Sequence, residues 1–219
     1  IDVEIGSATP DAAIHYTLDG SEPTERSPLY TAPLAISSTT VIKAKAFRPG
    51  YLPSATMAIT ATEAINRPAA SLTEAQQAEL KRGVSYDYFE GPFLKVEDIT
   101  GNPLSSGTLS RPGIEGAAAP DHFAFVFGGF IDVPSDGIYT FFTRSDDGSV
   151  LIIDDVLVVD NNDSHAAVTA TGTIALAKGL HRFSLKYFDD YEGESLQWGW
   201  RIPGDTKMTD IAPERLYYL

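Results

Sequence analysis

Between Gly137 and His165 apolar residues recur at every second position: Tyr139 and Phe141 precede an Asp146-Asp147-Gly148 turn, and Leu151 and Ile153 follow it. A second acidic turn comes at Asp154-Asp155, and then a polar run from Asp160 to His165. A period of two excludes an amphipathic helix. It demands strands, because successive side chains of an extended backbone point to opposite faces. Asp, Asn and Gly between the runs are the residues that suit short connections. Carboxylates clustered at the tips of such a sheet either stabilise turns or hold a hard cation.

The same alternation organises the rest of the chain. In residues 1–62, Val3 and Ile5 alternate, as do Ile14, Tyr16 and Leu18 up to the Asp19-Gly20 turn. Residues 40–47 make another half-buried strand and Met57 and Ile59 a last one, with Pro- and Gly-rich turns between. Short strands at this spacing predict a small β-sandwich. Residues 63–82 change character: Ala, Glu and Gln replace β-branched alternation, which predicts a linker with one short helix over Glu74–Lys81. Ser71 or Thr73 would cap that helix and Gly83 would end it. From Gly83 to Leu219 alternation returns, in Val84, Tyr86 and Tyr88, in Phe123, Phe125 and Phe127, in Phe183, Leu185 and Tyr187, and in Leu196, Trp198 and Trp200. Roughly nine strands are too many for one open sheet without curling into a sandwich or barrel. The fold class is therefore all-β, as two β-sandwich domains.

The net charge of −14 argues against a nucleic-acid-binding surface, which needs clustered Lys and Arg, and disfavours anionic lipid. It suits a neutral ligand such as a glycan, with divalent cations. The absence of cysteine removes disulfides, thiolate metal sites and thiol nucleophiles together. No apolar run approaches a membrane span, and the opening residues are not expected to act as a signal peptide. The chain opens on IDVEIGS, already in strand-like alternation, and is expected to be a piece of something longer.

Residues 1–62 resemble the carboxy-terminal domain of chitobiases and hexosaminidases, an immunoglobulin-like module. The resemblance is carried by Ile14-His15-Tyr16-Thr17-Leu18-Asp19-Gly20-Ser21-Glu22-Pro23-Thr24, by Ser27-Pro28-Leu29-Tyr30, by Ile42-Lys43-Ala44-Lys45-Ala46-Phe47 and by Gly50-Tyr51. That family usually begins with one more strand, which the resemblance implies would precede Ile1. Residues 83–219 resemble the protective-antigen-type (PA-fourteen) β-sandwich of glycosidases, adhesins, toxins and yeast flocculins. Here the matching residues are Gly83 to Gly91, Phe127-Gly128-Gly129-Phe130-Ile131, Gly137 to Phe141, Ser145-Asp146-Asp147-Gly148-Ser149, Val158 to Asn161, His165, Gly179-Leu180-His181 and Leu196-Gln197-Trp198. The chain departs from the family in placing Asp155 and Asp163 where Gly is usual. Asp tolerates left-handed backbone well, so the fold should survive both changes.

Neighbouring carboxylates on a strand face opposite ways, so Asp146 and Asp147 can serve one ion only with unusual backbone, such as a cis peptide between them. Calcium-dependent lectins of this family use such an Asp-Asp pair, and the resemblance implies a calcium site from Asp146, Asp147 and Asp189, lined by the acidic loop 189–195. Asp-Asp-Gly-Ser is equally a good turn. For ligand contact the candidates are Asp190, Tyr191, Asn161, Asp163 and His165. Against this, the 160–165 run also suits a loop bonded to its own backbone, with His165 packed and satisfied. Trp198 and Trp200 share a strand face and are expected in the core; Tyr191 is the better stacking residue. No acid pair sits in a glycosidase-like setting, and there is no nucleophile elbow or phosphate loop, so no catalytic residue is assigned.

The resemblances imply a non-catalytic, carbohydrate-binding accessory region of a secreted bacterial glycoside hydrolase. Its parent would resemble a β-N-acetylhexosaminidase, with the catalytic domain upstream and glycans containing GlcNAc or GalNAc as partners. The expected location is secreted, periplasmic or cell-surface. The alternatives are spacer modules that bind no sugar and a cell-surface adhesin.

Overall fold

Each alternating run becomes a strand, and every strand ladder is antiparallel, in the computed structural model, which describes residues 2–62 and 64–219. The chain divides into two units, Ile1–Ala64 and Ile65–Leu219. Among the described residues no helix is long and apolar enough to cross a membrane.

In the first unit β1 (Asp2–Val3) pairs with β3 (Leu34–Ala35), and β4 (Thr40–Phe47) lies between β2 (Ala13–Thr17) and β5 (Met57–Ala61). Ile36, Ile42 and Ala61 form a small core with Val3, Ile5 and Leu34 packed against it. The turn after β2 is held by the Asp19 carboxylate, which accepts from the Ser21 hydroxyl at 2.6 Å and the Ser21 N–H at 2.9 Å. Those two bonds hold the Asp19 carboxyl below its usual range.

The helix of the second unit, α1 (Glu74–Glu79), is capped by Thr73 in a reciprocal pair with Gln76. It stops at Leu80 and not at Gly83. The reason is tertiary: β6 (Lys81–Arg82) is taken into a sheet by β17 (Leu216–Tyr218). Residues 65–70 are equally no free linker. Arg67 exchanges backbone hydrogen bonds with Ala175 and Ala177 at 2.8 and 2.9 Å, and the Ala70 N–H donates to the Leu180 carbonyl at 2.7 Å. Backbone groups without a helix or strand partner of their own find one on the sheet edge.

Two sheets make the sandwich. The larger carries β7 (Val84–Glu90), β8 (Ser105–Leu109), β9 (Phe123–Val133), β11 (Ser149–Ile153), β12 (Val156–Asn161) and β14 (Gly179–Asp189), besides β6 and β17. The smaller has the order β13 (Val168–Leu176), β10 (Gly137–Asp146), β15 (Ser195–Arg201), β16 (Thr209–Asp210). From Gly83 onward eleven strands stand where roughly nine were expected, because the short β8, β16 and β17 pair with β7, β15 and β9 without an alternating run of their own. The inner faces bury the predicted alternating residues: Phe123, Phe125, Phe127, Tyr139, Phe141, Leu185 and Tyr187 are at most 1% exposed. Trp198 and Trp200 belong to the same core. A second cluster, with Phe93, Val96, Ala124, Val150 and Phe188, covers the opposite face of β9 and β14. Strands buried on both faces lose the inward-outward contrast, so this layer is not legible from alternation.

The Asp154-Asp155 turn joins β11 to β12 with both residues at positive φ, 46° and 63°. The fully buried His181 faces an acceptor at each ring nitrogen, with Asp154 Oδ2 2.5 Å from Nδ1 and the Ala177 carbonyl 2.8 Å from Nε2. Only the imidazolium donates to both. Burial pulls the His181 pKa down, as does the nearby Arg67, but the Asp154 carboxylate and the Ala177 carbonyl outweigh them and hold it above 6.5. A raised folded pKa gives stability that is full below the unfolded value and lost as pH rises through the folded one. The thermal midpoint of the second unit is therefore expected to fall as pH rises above 6.5, and His181→Gln should flatten that slope. A wild-type profile as flat as the variant's would refute the charged pair.

Candidate functional site

Strands β10 and β11 meet at the Asp146-Asp147-Gly148 corner, where the Asp146–Asp147 peptide bond is cis. Strand β14 braces the corner. The Tyr187 hydroxyl donates to the Asp146 carbonyl at 2.6 Å, and the Phe188 N–H to the Gly148 carbonyl at 3.0 Å. Only glycine fits at 148. A Cβ there would lie 2.3 Å from the Phe188 ring and 2.8 Å from the Asp163 carbonyl oxygen.

The side chains around this corner are tied to two loops. Asp147, 4% exposed, accepts at Oδ1 from the Ser164 hydroxyl (2.9 Å) and the His165 N–H (2.8 Å), and at Oδ2 from the Asp190 N–H (2.8 Å). Half-buried Asp146 accepts from the Ala167 N–H at 3.0 Å. Gly193 lies against it, close enough that a Cβ would sit 3.1 Å from Asp146 Oδ2. The loop after β14 thus folds back over both members of the pair.

Asp189 ends β14 on the face of Leu185 and Tyr187, so alternation carries its carboxylate inward and buries it completely. Its Oδ2 accepts from the His122 N–H at 3.2 Å, while Oδ1 has no hydrogen-bond partner among the described residues. Burial, and then the negative charge of Asp147, push its pKa up to about 6. The same burial and the charges of Asp189, Asp147 and Asp146 push the Tyr187 phenol up as well. Among the described residues no Lys or Arg forms an ion pair with these carboxylates.

A buried carboxylate oxygen without a partner bears its full desolvation cost, which a cation would relieve. All the donors here are oxygens, the set that suits a hard cation such as calcium and not a thiolate- or imidazole-seeking metal. The donor chemistry therefore fits the predicted ion. Among the described residues no group of three or more His, Asp and Glu side chains is already arranged to hold a metal ion.

The five expected ligand contacts separate. Asp190 and Tyr191 lie on the loop that covers the Asp pair, with Tyr191 65% exposed. Asn161 is buried, and its amide donates to Ser145 Oγ and to the Val168 carbonyl at 3.0 and 3.1 Å. His165 places its two ring nitrogens 3.0 Å from the Ala166 carbonyl and 3.1 Å from the Asn161 carbonyl. Asn161 thus ties the end of β12 to β10 and β13, while His165 serves its own loop, as polar groups withdrawn from water find partners nearby. Asp163 is exposed at a positive-φ turn position, φ 102°.

Two residues that carry no sequence signal join the site. Asp121 and His122 stand where the loop before β9 enters the strand, and they contact the loop after β14, whose residues lie some seventy positions on. A separation that long is bridged only by the β9–β14 pairing, in which Asp189 opposes Phe123.

Known proteins resemble this chain in sequence pattern and fold. A family model described as the chitobiase/beta-hexosaminidase C-terminal domain matches residues 1–58. No curated protein matches the chain in sequence. Similar solved structures include the PA14 domain of the MpAFP antifreeze protein, 12% identical with a TM-score of 0.55, covering 64% of this chain and 92% of that one. The Epithelial Adhesin 9 A domain from Candida glabrata, in complex with Galβ1-3GlcNAc, is 14% identical with a TM-score of 0.52, covering 72% and 97%. A PA14 sugar-binding domain from an RTX adhesin is 17% identical with a TM-score of 0.51, covering 63% and 98%. At these identities the structures share the fold. The PA14 domain model matches residues 80–213, more than half of the sequence, and the chain belongs to the PA14 domain family.

Proposed function

We propose that the chain is a non-catalytic glycan-binding region whose PA14 unit grips neutral sugars through a calcium ion held by Asp146, Asp147 and Asp189. The observation that carries this reading is the buried, unpartnered Oδ1 of Asp189 beside the Asp pair. Bound calcium would supply open coordination positions for sugar hydroxyls. The chain's own part is to hold the carboxylates, through the bonds from Ser164, His165, Ala167 and Asp190 to the Asp pair, and to close the 189–194 loop over them. The three carboxylates are not a finished shell, and the proposal requires that binding complete the cage. Two sugar-binding PA14 relatives support the ligand class.

The match of the first unit supports a parent resembling a β-N-acetylhexosaminidase, with glycans containing GlcNAc or GalNAc as partners; secretion from a bacterium is part of the same proposal. A tethered sugar-binding module raises the effective concentration of such a polymer at an attached catalytic domain without any new catalytic contact. A cell-surface adhesin is the second reading, favoured by the adhesin neighbours. On a glycan array in calcium buffer the protein is expected to retain neutral glycans and to release them on addition of a chelator. Retention indifferent to chelator would remove the calcium. No retention under any condition would make both units spacers.

A further inference from the structure

We propose that His122 and Tyr191 form a two-ring wall beside the cation site, and that His122 is a specificity-determining residue for the sugar that lies against it. The inference rests on the glycan-binding reading above and adds a residue to it. The rings stand 6.3 Å apart at an interplanar angle of 28°, one contributed by the loop before β9 and one by the loop after β14. Both are open to solvent, the His122 side chain 50% exposed and Tyr191 65% exposed.

The wall is held from its base. His122 sits at a φ of 59°, its N–H donates to Asp189 Oδ2 at 3.2 Å, and its carbonyl accepts from the Gly91 N–H at 2.8 Å. Its Nδ1 lies 3.5 Å from Asp190 Oδ1, and the neighbouring Asp121 carboxylate accepts from the Glu192 N–H at 3.2 Å. Two consecutive residues of one loop thus hold three members of the other, and Tyr191, between Asp190 and Glu192, is fixed against the His122 ring.

This arrangement chooses a class of ligand. A pyranose has an apolar face of axial C–H groups and a polar rim of hydroxyls, and two solvent-exposed rings inclined 28° to one another beside an oxygen-lined corner complement both at once. The carboxylates of Asp121, Asp190, Glu192 and Glu194 around it disfavour a sialylated, sulfated or uronate ligand, since like charges brought together cost free energy. The expected ligand is an uncharged pyranoside whose hydroxyls point to the Asp pair and whose apolar face lies on the wall.

The test pairs two readouts on the whole chain. Calcium chloride alone is added in thermal melts, and retention is measured on an array of neutral and sialylated glycans. His122→Ala and Tyr191→Ala should leave the calcium-induced rise in midpoint unchanged, because the His122 backbone contact to Asp189 does not depend on its ring. Each should lower retention of the best-held neutral glycan about tenfold, the order expected for loss of one aromatic contact. His122→Phe should restore most of it, which a purely structural loss would not. Unchanged retention by both Ala variants overturns the wall and leaves the cation reading standing, as does a preference for sialylated glycans. If calcium leaves the wild-type melt unmoved while retention still depends on the two rings, the wall stands and the calcium falls. Absence of any retention by the wild-type protein overturns both.

Discussion

Replacing Trp198 or Trp200 with Ala is expected to lower the stability of the PA14 unit by ~3–5 kcal/mol, a large share of what a single domain possesses. The cost follows from position. Trp198 is 5% exposed and stacks on Phe183 from the opposite sheet, ring centroids 5.1 Å apart. Trp200 is 4% exposed and packs against Tyr139 and Phe141 at 5.4 and 5.9 Å. Truncation would open a cavity between two sheets whose strands cannot close on it without breaking their ladders. Urea denaturation of the two variants measures this. A stability loss under about 1 kcal/mol together with lost glycan retention would place the indoles at the sugar and contradict the core assignment.

The second large effect is calcium-linked stability. A cation that binds the folded unit and not the unfolded chain stabilises it by ~2.7 kcal/mol at a hundredfold excess over its dissociation constant. The melting midpoint should rise with calcium accordingly, and magnesium should substitute poorly, since it requires a smaller and stricter octahedron. Asp146→Asn keeps the side-chain shape and its acceptor for the Ala167 N–H while removing one charge, so the fold should persist with a weaker calcium response. Asp189→Asn is sharper. It should raise the midpoint in the absence of calcium, because it replaces a buried carboxylate whose Oδ1 has no partner with a neutral amide, and it should abolish the rise with calcium. A midpoint indifferent to calcium in the wild-type protein, with Asp189→Asn unchanged from it, would leave the corner a hydrogen-bonded turn.

Much of this protein is determined by period and turn chemistry in the sequence itself. Alternation of Phe123, Phe125 and Phe127 or of Phe183, Leu185 and Tyr187 is sufficient, because a one-residue slip would turn every apolar side chain to water. The acidic turns are equally local: Asp154 and Asp155 accept positive φ without help from elsewhere. The Thr73 cap is local too, being set by residues three apart. What failed locally failed for tertiary reasons. The helix ends before Lys81 because β17 offers that residue a strand partner, and the linker lies on the second unit because the edge at Ala175 and Ala177 has backbone groups to satisfy. The site divides in the same way. Asp146, Asp147 and Gly148 announce a special corner in the sequence, but that Asp189 is buried with one oxygen unpartnered is decided by the end of β14 meeting Phe123. The polar run 160–165 suits either a ligand edge or a loop bonded to itself; that Asn161 bonds Ser145 and Val168 on neighbouring strands is decided only by the fold. His122 has no signature at all. Its role exists only because an antiparallel pairing brings the start of one strand to the end of another, and chain order carries no record of that distance.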